Sequence, residues 1–145
     1  MLRRGRQAYS TLWWIGFLTF CLVPLAAFTI GLGRYFYARA EVQKAADAAA
    51  LAAAQEVDLA LYRDTGRIEL MPSAFSMASS YAGMNSSYLA ARGVFPQVTG
   101  IAVDQGRRAV LVSMAADASA LFPSVLSGIV VRAEGEAEVR LRRSP

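Results

Sequence analysis

Histidine is absent from the 145 residues, and cysteine occurs once, as Cys21. Zinc sites of the usual kind draw their ligands from several Cys and His side chains, so none is expected. Ser-His-Asp and Cys-His catalysis both need an imidazole and are excluded with it. One thiol cannot form an intrachain disulfide. Acidic residues are missing from the whole stretch before Glu41, and neither proline nor glycine occurs between Arg34 and Thr65. There is no P-loop and no G-x-S-x-G element, and Gly31-Leu32-Gly33 lacks the third glycine of a dinucleotide fingerprint. A broad basic surplus is missing too. The chain has 15 Lys/Arg against 11 Asp/Glu, and without Arg3, Arg4 and Arg6 the balance is 12 against 11. Nucleic-acid modules carry a wide basic face. Here the basicity is local to the N-terminus, with a smaller cluster at Arg140, Arg142 and Arg143. These absences argue for no catalytic residues, no cofactor, no metal and no nucleic-acid partner.

What is present begins with Leu12–Leu32, 21 residues without a charge, in which the only polar side chains are Thr19, Cys21 and Thr29. At ~1.5 Å per residue such a run spans a hydrocarbon core of ~30 Å. Trp13 and Trp14 stand at one edge and Tyr35, Phe36 and Tyr37 at the other, as in the aromatic belts of membrane helices. Arg3, Arg4 and Arg6 precede the run, and Arg34 and Arg39 follow it. The positive-inside rule then favours a cytoplasmic N-terminus. Pro24 removes one helix hydrogen bond within the span. The competing reading is a cleaved signal peptide ending at Ala26-Ala27. Against it, the apolar run continues to Leu32, and the site would read Leu-Ala-Ala rather than Ala-x-Ala.

Residues 33–66 read as one helix that continues the span on the far side. Eight of the ten residues from Ala45 to Ala54 are alanine, the strongest helix former, and Arg63-Asp64-Thr65-Gly66 supplies a stop. Small side chains let another element approach closely. Val42, Leu51, Leu59 and Leu61 mark where a partner surface would pack, and Asp47 is read as a solvated residue near Lys44. Residues 67–145 read as a small α+β domain. Ser73 is positioned to cap a second helix, whose Met77, Tyr81, Met84 and Tyr88 form a core-like stripe, weakened by Gly83 and Asn85-Ser86-Ser87. That triplet matches a glycosylation sequon, which carries no weight outside a secretory setting. Thr99–Asp104 and Ala109–Ala116 flank Gln105-Gly106-Arg107-Arg108 as a hairpin with Val110, Val112 and Met114 on one face. Ser119–Ser127 is a loop or short helix broken by Pro123. From Val131 to Arg142, apolar odd positions alternate with charged even ones, a strand with one dry face. Glu134, Glu136 and Glu138 share its wet face, without the ligand loop that calcium needs. A sheet with one wet face is typically antiparallel, and the alanine-rich helix is the only long apolar cover for the other.

The divisions expected are a basic N-terminus (1–11), a transmembrane helix (12–32), an alanine-rich stalk (33–66) and a small extracytoplasmic domain (67–145). Residues 31–54 resemble the N-terminal module of TadE/TadG-like proteins of the Tad (tight adherence, Flp) pilus assembly system. The resemblance rests on Gly31-Leu32-Gly33-Arg34, the aromatic Tyr35, and the run Val42, Gln43, Lys44, Ala45, Ala46, Asp47, Ala48, Ala49, Ala50, Leu51, Ala52, Ala53, Ala54. Arg4-Gly5-Arg6-Gln7-Ala8 is similar to the family's Gly-Gln-Ala start. It implies a pilin-like fold and a structural or assembly role in a pilus or secretion machine of a bacterial inner membrane. Its partners would be other subunits and the lipid bilayer, with homo- or hetero-oligomers formed through the N-terminal helix. Gln43, Ala46, Asp47, Ala49, Ala50, Leu51, Ala53 and Ala54 would be its motif and packing residues. If Gly5 were a prepilin-peptidase site, the fifth position after it, where such precursors carry glutamate, would be Ser10. The chain is therefore read as uncleaved, and it has no room for the large extra domain of longer TadG-like proteins. A membrane-tethered module that binds a surface ligand, through the sheet or the 92–127 loops, is the alternative.

Overall fold

The computed structural model describes residues 3–122 and 128–139. The chain divides into two compact units, Met1–Tyr35 and Phe36–Pro145. The first consists of the N-terminal part of helix α1 (Arg3–Gln55). The helix is long and apolar enough to cross a membrane, and none of its most apolar window is buried. Pro24 lies inside it and has no N–H to give one turn back. Nearby, the Thr29 hydroxyl donates to the Leu25 carbonyl at 2.9 Å, so a polar group in the run is satisfied within the helix itself. Trp14 and Phe17 meet edge to face, 6.3 Å apart.

The second unit is built on the C-terminal part of α1. Ala38, Val42, Ala45, Ala46, Ala49, Ala50, Ala52 and Ala53 are all buried, at the spacings of three and four that make one helix face. No apolar side chain on that face is larger than valine, which lets the helix backbone itself approach its neighbour. That neighbour is a three-stranded antiparallel sheet in the order β1 (Gln97–Asp104), β2 (Ala109–Asp117), β3 (Val130–Glu138). Val110, Val112, Met114 and Ala116 of β2 are buried, with Val131 and Ala137 of β3, while Arg132, Glu134, Glu136 and Glu138 are exposed. The alternation expected for the last strand therefore holds through Val139, and Arg140–Arg142 lie outside the described residues. Gly135, opposite Val112 in the register, is where helix and sheet come closest. A Cβ there would stand 2.1 Å from the Ala46 carbonyl oxygen and 2.7 Å from the Asp47 nitrogen. Only a residue without a side chain fits.

The β1–β2 hairpin turns at the expected Gln105–Arg108, with β1 starting two residues earlier than expected and β2 ending one later. Asp104 Oδ1 accepts from Gly106 N at 2.9 Å and Arg107 N at 3.0 Å, and Arg108 closes the turn at φ 54, the left-handed conformation such turns need. Gln105 is spent elsewhere. Its amide donates to the Ile68 carbonyl at 2.7 Å and accepts from the Ile68 N–H at 2.9 Å, tying the hairpin tip to the 66–72 segment. A 3-10 turn, Ser119–Leu121, follows β2, and residues 123–127 of the expected loop lie outside the described residues. The Ser119 hydroxyl donates to Asp117 Oδ1 and accepts from Gly128 N at 3.0 Å, which closes that loop onto β3. The Asp117 carboxyl is held below its ordinary range by the Ser119 hydroxyl and then by the Ser119 N–H.

Four expectations are corrected. The stalk is not one helix to residue 66. α1 ends at Gln55, and a separate helix α2 (Leu59–Thr65) follows. Asp58 forces the break: its carboxylate caps α2 by accepting from Ala60 N and Leu61 N, and its own N–H donates to the Glu69 carbonyl at 2.9 Å. Val57 pairs across to Leu70 in an isolated bridge. Leu51 (59% exposed) and Leu59 are surface residues, and the interior is filled by Val57, Tyr62 and Ile68. The Met/Tyr stripe of helix α3 (Ala74–Met84) is not core either. Ala74, Ala78 and Ala82 are buried, while Tyr81, Met84 and Tyr88 are exposed. α3 packs on β1 through its small residues, which puts the large ones outside. Ser73 stands at the N-cap position without a capping bond, because its hydroxyl donates to Glu56. α3 ends before Asn85-Ser86, and a short helix α4 (Ser87–Ala90) follows.

Two glycine substitutions separate close packing from ordinary helix propensity. Gly135→Ala would drive a methyl into the α1 backbone, and we expect a loss of about 3 kcal/mol or failure to fold, at the upper end of overpacking costs. Gly83→Ala, with nothing within 4 Å of the new Cβ, should instead gain roughly 0.5–1 kcal/mol, the usual gain in a helix. Chemical unfolding of the full chain in detergent, followed by circular dichroism, measures both.

Candidate functional site

The helix–sheet junction draws together residues from two places far apart in sequence. Gln43 projects from α1 one turn before Asp47, and its Nε2 makes two bonds. One goes to Asp47 Oδ1 at 2.8 Å and the other to the Glu134 backbone carbonyl at 2.7 Å. An amide NH2 has two hydrogens, and both are used. Asp47 thus orients Gln43, and Gln43 fixes the height of β3 along the helix. Ala46, between them in sequence, lies under Gly135. The Gln-x-x-Ala-Asp spacing is therefore a docking device: two polar side chains set the register and a small one lets the strand come down onto the helix.

Of the remaining motif residues, Ala49, Ala50 and Ala53 are buried, Ala54 is half-buried, and Leu51 faces solvent. The anticipated neighbour of Asp47 has another partner. Lys44 Nζ binds Glu41 Oε1 at 2.7 Å. Glu41 is only 7% exposed, and its hydrogen bond and charge raise the Lys44 ammonium above its ordinary value. The pair lies at i,i+3 on the helix, where side chains meet.

A second cluster lies at Tyr37. Its ring meets that of Tyr88 at 4.8 Å, and the Arg92 guanidinium lies 3.5 Å from the centre of the Tyr88 ring, a cation–π contact. Partial burial, then the Glu41 charge and Tyr88, raise the Tyr37 phenol above its usual value. The glutamates of β3 stay on the wet face, with Arg107 Nη1 3.7 Å from Glu136. Among the described residues no group of His, Cys, Asp or Glu could hold a metal ion, and no buried side-chain polar atom lacks a partner. In the first unit, Gly16 leaves an apolar notch of about 490 Å³ framed by Leu12, Trp13, Phe17 and Phe20. Gly5 lies near the start of α1.

Sequence reasoning missed Gly135, Gln105 and Glu41. A lone glycine inside an alternating strand is a signal for close backbone approach. Glu41, the first acid in the chain, was marked only by Lys44 three residues on. Nothing local signals the bond from Gln105 to Ile68.

Replacing the amide donor by a carboxylate tests the junction. Gln43→Glu removes both donated bonds and sets a carboxylate against a carbonyl oxygen and Asp47, so we expect a loss of roughly 1–2 kcal/mol, since unmade bonds cost about that much. Asp47→Asn keeps an acceptor for Gln43 and should cost less than about 0.5 kcal/mol, as surface changes usually do. Urea midpoints of the full chain report both.

No curated protein and no solved structure matches the chain. Residues 9–56 match the family model described as Putative Flp pilus-assembly TadE/G-like, so the match ends where α1 ends and takes in both the apolar run and the Gln43–Asp47 docking face.

Proposed function

We propose that this chain is a non-enzymatic structural or assembly component of a Tad/Flp-type pilus or secretion machine, held in a bacterial cytoplasmic membrane by residues 12–32. Its N-terminus faces the cytoplasm and the 67–145 domain lies outside. One observation carries the reading: the family match covers a single continuous helix that is apolar over one stretch and carries a sheet on the next. A helix of this kind anchors and presents; the chemistry around it is packing chemistry. Its polar groups at Gln43, Asp47, Glu41 and Lys44 are bonded to one another or to backbone, which suits them to holding a shape rather than to turnover. The partners are the bilayer and other subunits of the machine, and oligomers form through the N-terminal helix. The orientation is supported by Arg3, Arg4 and Arg6 before the span. Gly5 is not processed on this reading, and the protein stays in the membrane.

In-frame deletion of the gene in its own bacterium should remove surface pili, and the full chain supplied in trans should restore them. Normal pilus number and length in the deletion strain would exclude the role.

A further inference from the structure

The strand order β1-β2-β3 leaves two edges, and they are finished differently. The Val139 N–H donates to the Arg108 carbonyl at 2.8 Å. Bonding alternates along an antiparallel pair, so the odd residues of β3 bond to β2 and the even ones turn outward. One outward group, the Glu134 carbonyl, is taken by Gln43, and Arg132, Glu134 and Glu136 set exposed charges along that edge. Charges and caps are how sheet edges are kept from pairing.

The β1 edge has neither. By the same alternation Val110 and Val112 bond to β3, Leu111 bonds to Ala102, and Ile101 and Val103 turn their N–H and C=O groups outward. Among the described residues nothing bonds to those groups. From Gln97 to Val103 there is no charge and no proline. The core is open on this side as well. Val110, Val112 and Met114 of β2 are fully buried, but their β1 partners Val103, Ile101 and Val98 are half-buried. α3, which packs on β1, exposes Phe75 (54%), Tyr81 and Met84 (62%). Between Leu70 and Val103 the only charged residue is Arg92. Loss of charge with gain of aromatics and methionine marks the centre of an interface.

We propose that β1 is the interface to a second copy of this chain, with the two β1 edges paired antiparallel about a two-fold axis into one six-stranded sheet. Identical antiparallel edges complement themselves: the outward groups of Ile101 in one copy meet those of Val103 in the other. That register sets Ala102 opposite Ala102 and Asp104 opposite Gly100, so no like charges face each other. The same pairing at β3, centred on Gly135, would set Glu134 against Glu136 and displace Gln43. The dry-face side chains of Ile101 and Val103 close the open side of the partner's core. Because α3 packs on β1, the two α3 helices lie on one side of the joined sheet and flank the axis with their uncharged surfaces. The interface is built from the second unit alone and is separate from contacts through the N-terminal helix.

The test is disulfide formation by the full chain in detergent, in a Cys21→Ser background. Ala102 bonds inward, so it faces its copy as a non-hydrogen-bonded pair with Cα atoms about 4.5 Å apart, within disulfide reach. Under mild oxidation Ala102→Cys should form linked dimers about ten-fold faster than Ser113→Cys, which is exposed on the same face of β2, since only a preformed pair holds two thiols at that spacing. A Cβ at Gly100 meets nothing within 4 Å, so that site tests the register without disturbing the fold. With Ala102→Cys, Gly100→Lys should speed linkage several-fold by facing Asp104 of the other copy, and Gly100→Glu should slow it. Equal rates at Ala102 and Ser113, or no linked dimer at either, overturn the proposal. Gly100→Lys and Gly100→Glu acting in the same direction overturn it too, because Asp104 is then not opposite.

Discussion

Everything in the second unit depends on one contact between backbones. At Gly135 the central part of β3 lies so close to α1 that a single methyl group would overlap the Ala46 carbonyl. Such an approach is available only when both elements give up side chains at the crossing. The strand does so with one glycine and the helix with a run of alanines. Close packing of this kind replaces bulk with proximity, since interiors gain from dense contact whatever the size of the groups that make it. The cost is low tolerance. A core of large residues can repack around a substitution, but two backbones in contact have nothing to move.

Proximity alone leaves the sheet free to slide along a smooth alanine face. Gln43 and Asp47 remove that freedom. Gln43 donates to a backbone group of the strand, the Glu134 carbonyl, next to the glycine that makes the contact. The rest of the domain is then tied down in the same currency of side chain to backbone. Gln105 grips Ile68, Asp58 grips the start of α2, and Ser119 grips Gly128. The family match ends at Glu56, so it contains the helix half of this junction and not the strand half.

How much of this was legible in the sequence follows from the range of each interaction. The hairpin and the last strand were readable because alternation with period two and the Gln105–Arg108 turn are local signals. The apolar run was readable for the same reason. The end of α1 was not, because the break depends on Glu69 and Leu70 receiving Asp58 and Val57, and the local sequence is a good helix throughout. The α3 stripe was misjudged for a different reason. Met77, Tyr81, Met84 and Tyr88 and the trio Ala74, Ala78, Ala82 have nearly the same period, and periodicity does not say which stripe faces inward. Close approach to β1 selects the small one. In the junction, Gln43, Ala46 and Asp47 stood in a recognisable run, but their work could not be read until Glu134 and Gly135 were seen beside them.

The central claim is that one uncleaved helix both anchors the chain and carries the sheet. The most direct measurement is the intact mass and N-terminus of the native protein, taken from the membrane fraction of its own cells after alkaline extraction. The account predicts an alkali-resistant membrane protein that begins at Met1 or Leu2. A start at Arg6 would mean cleavage after Gly5 and a filament subunit. A soluble protein starting near Phe28 would contradict the anchor altogether.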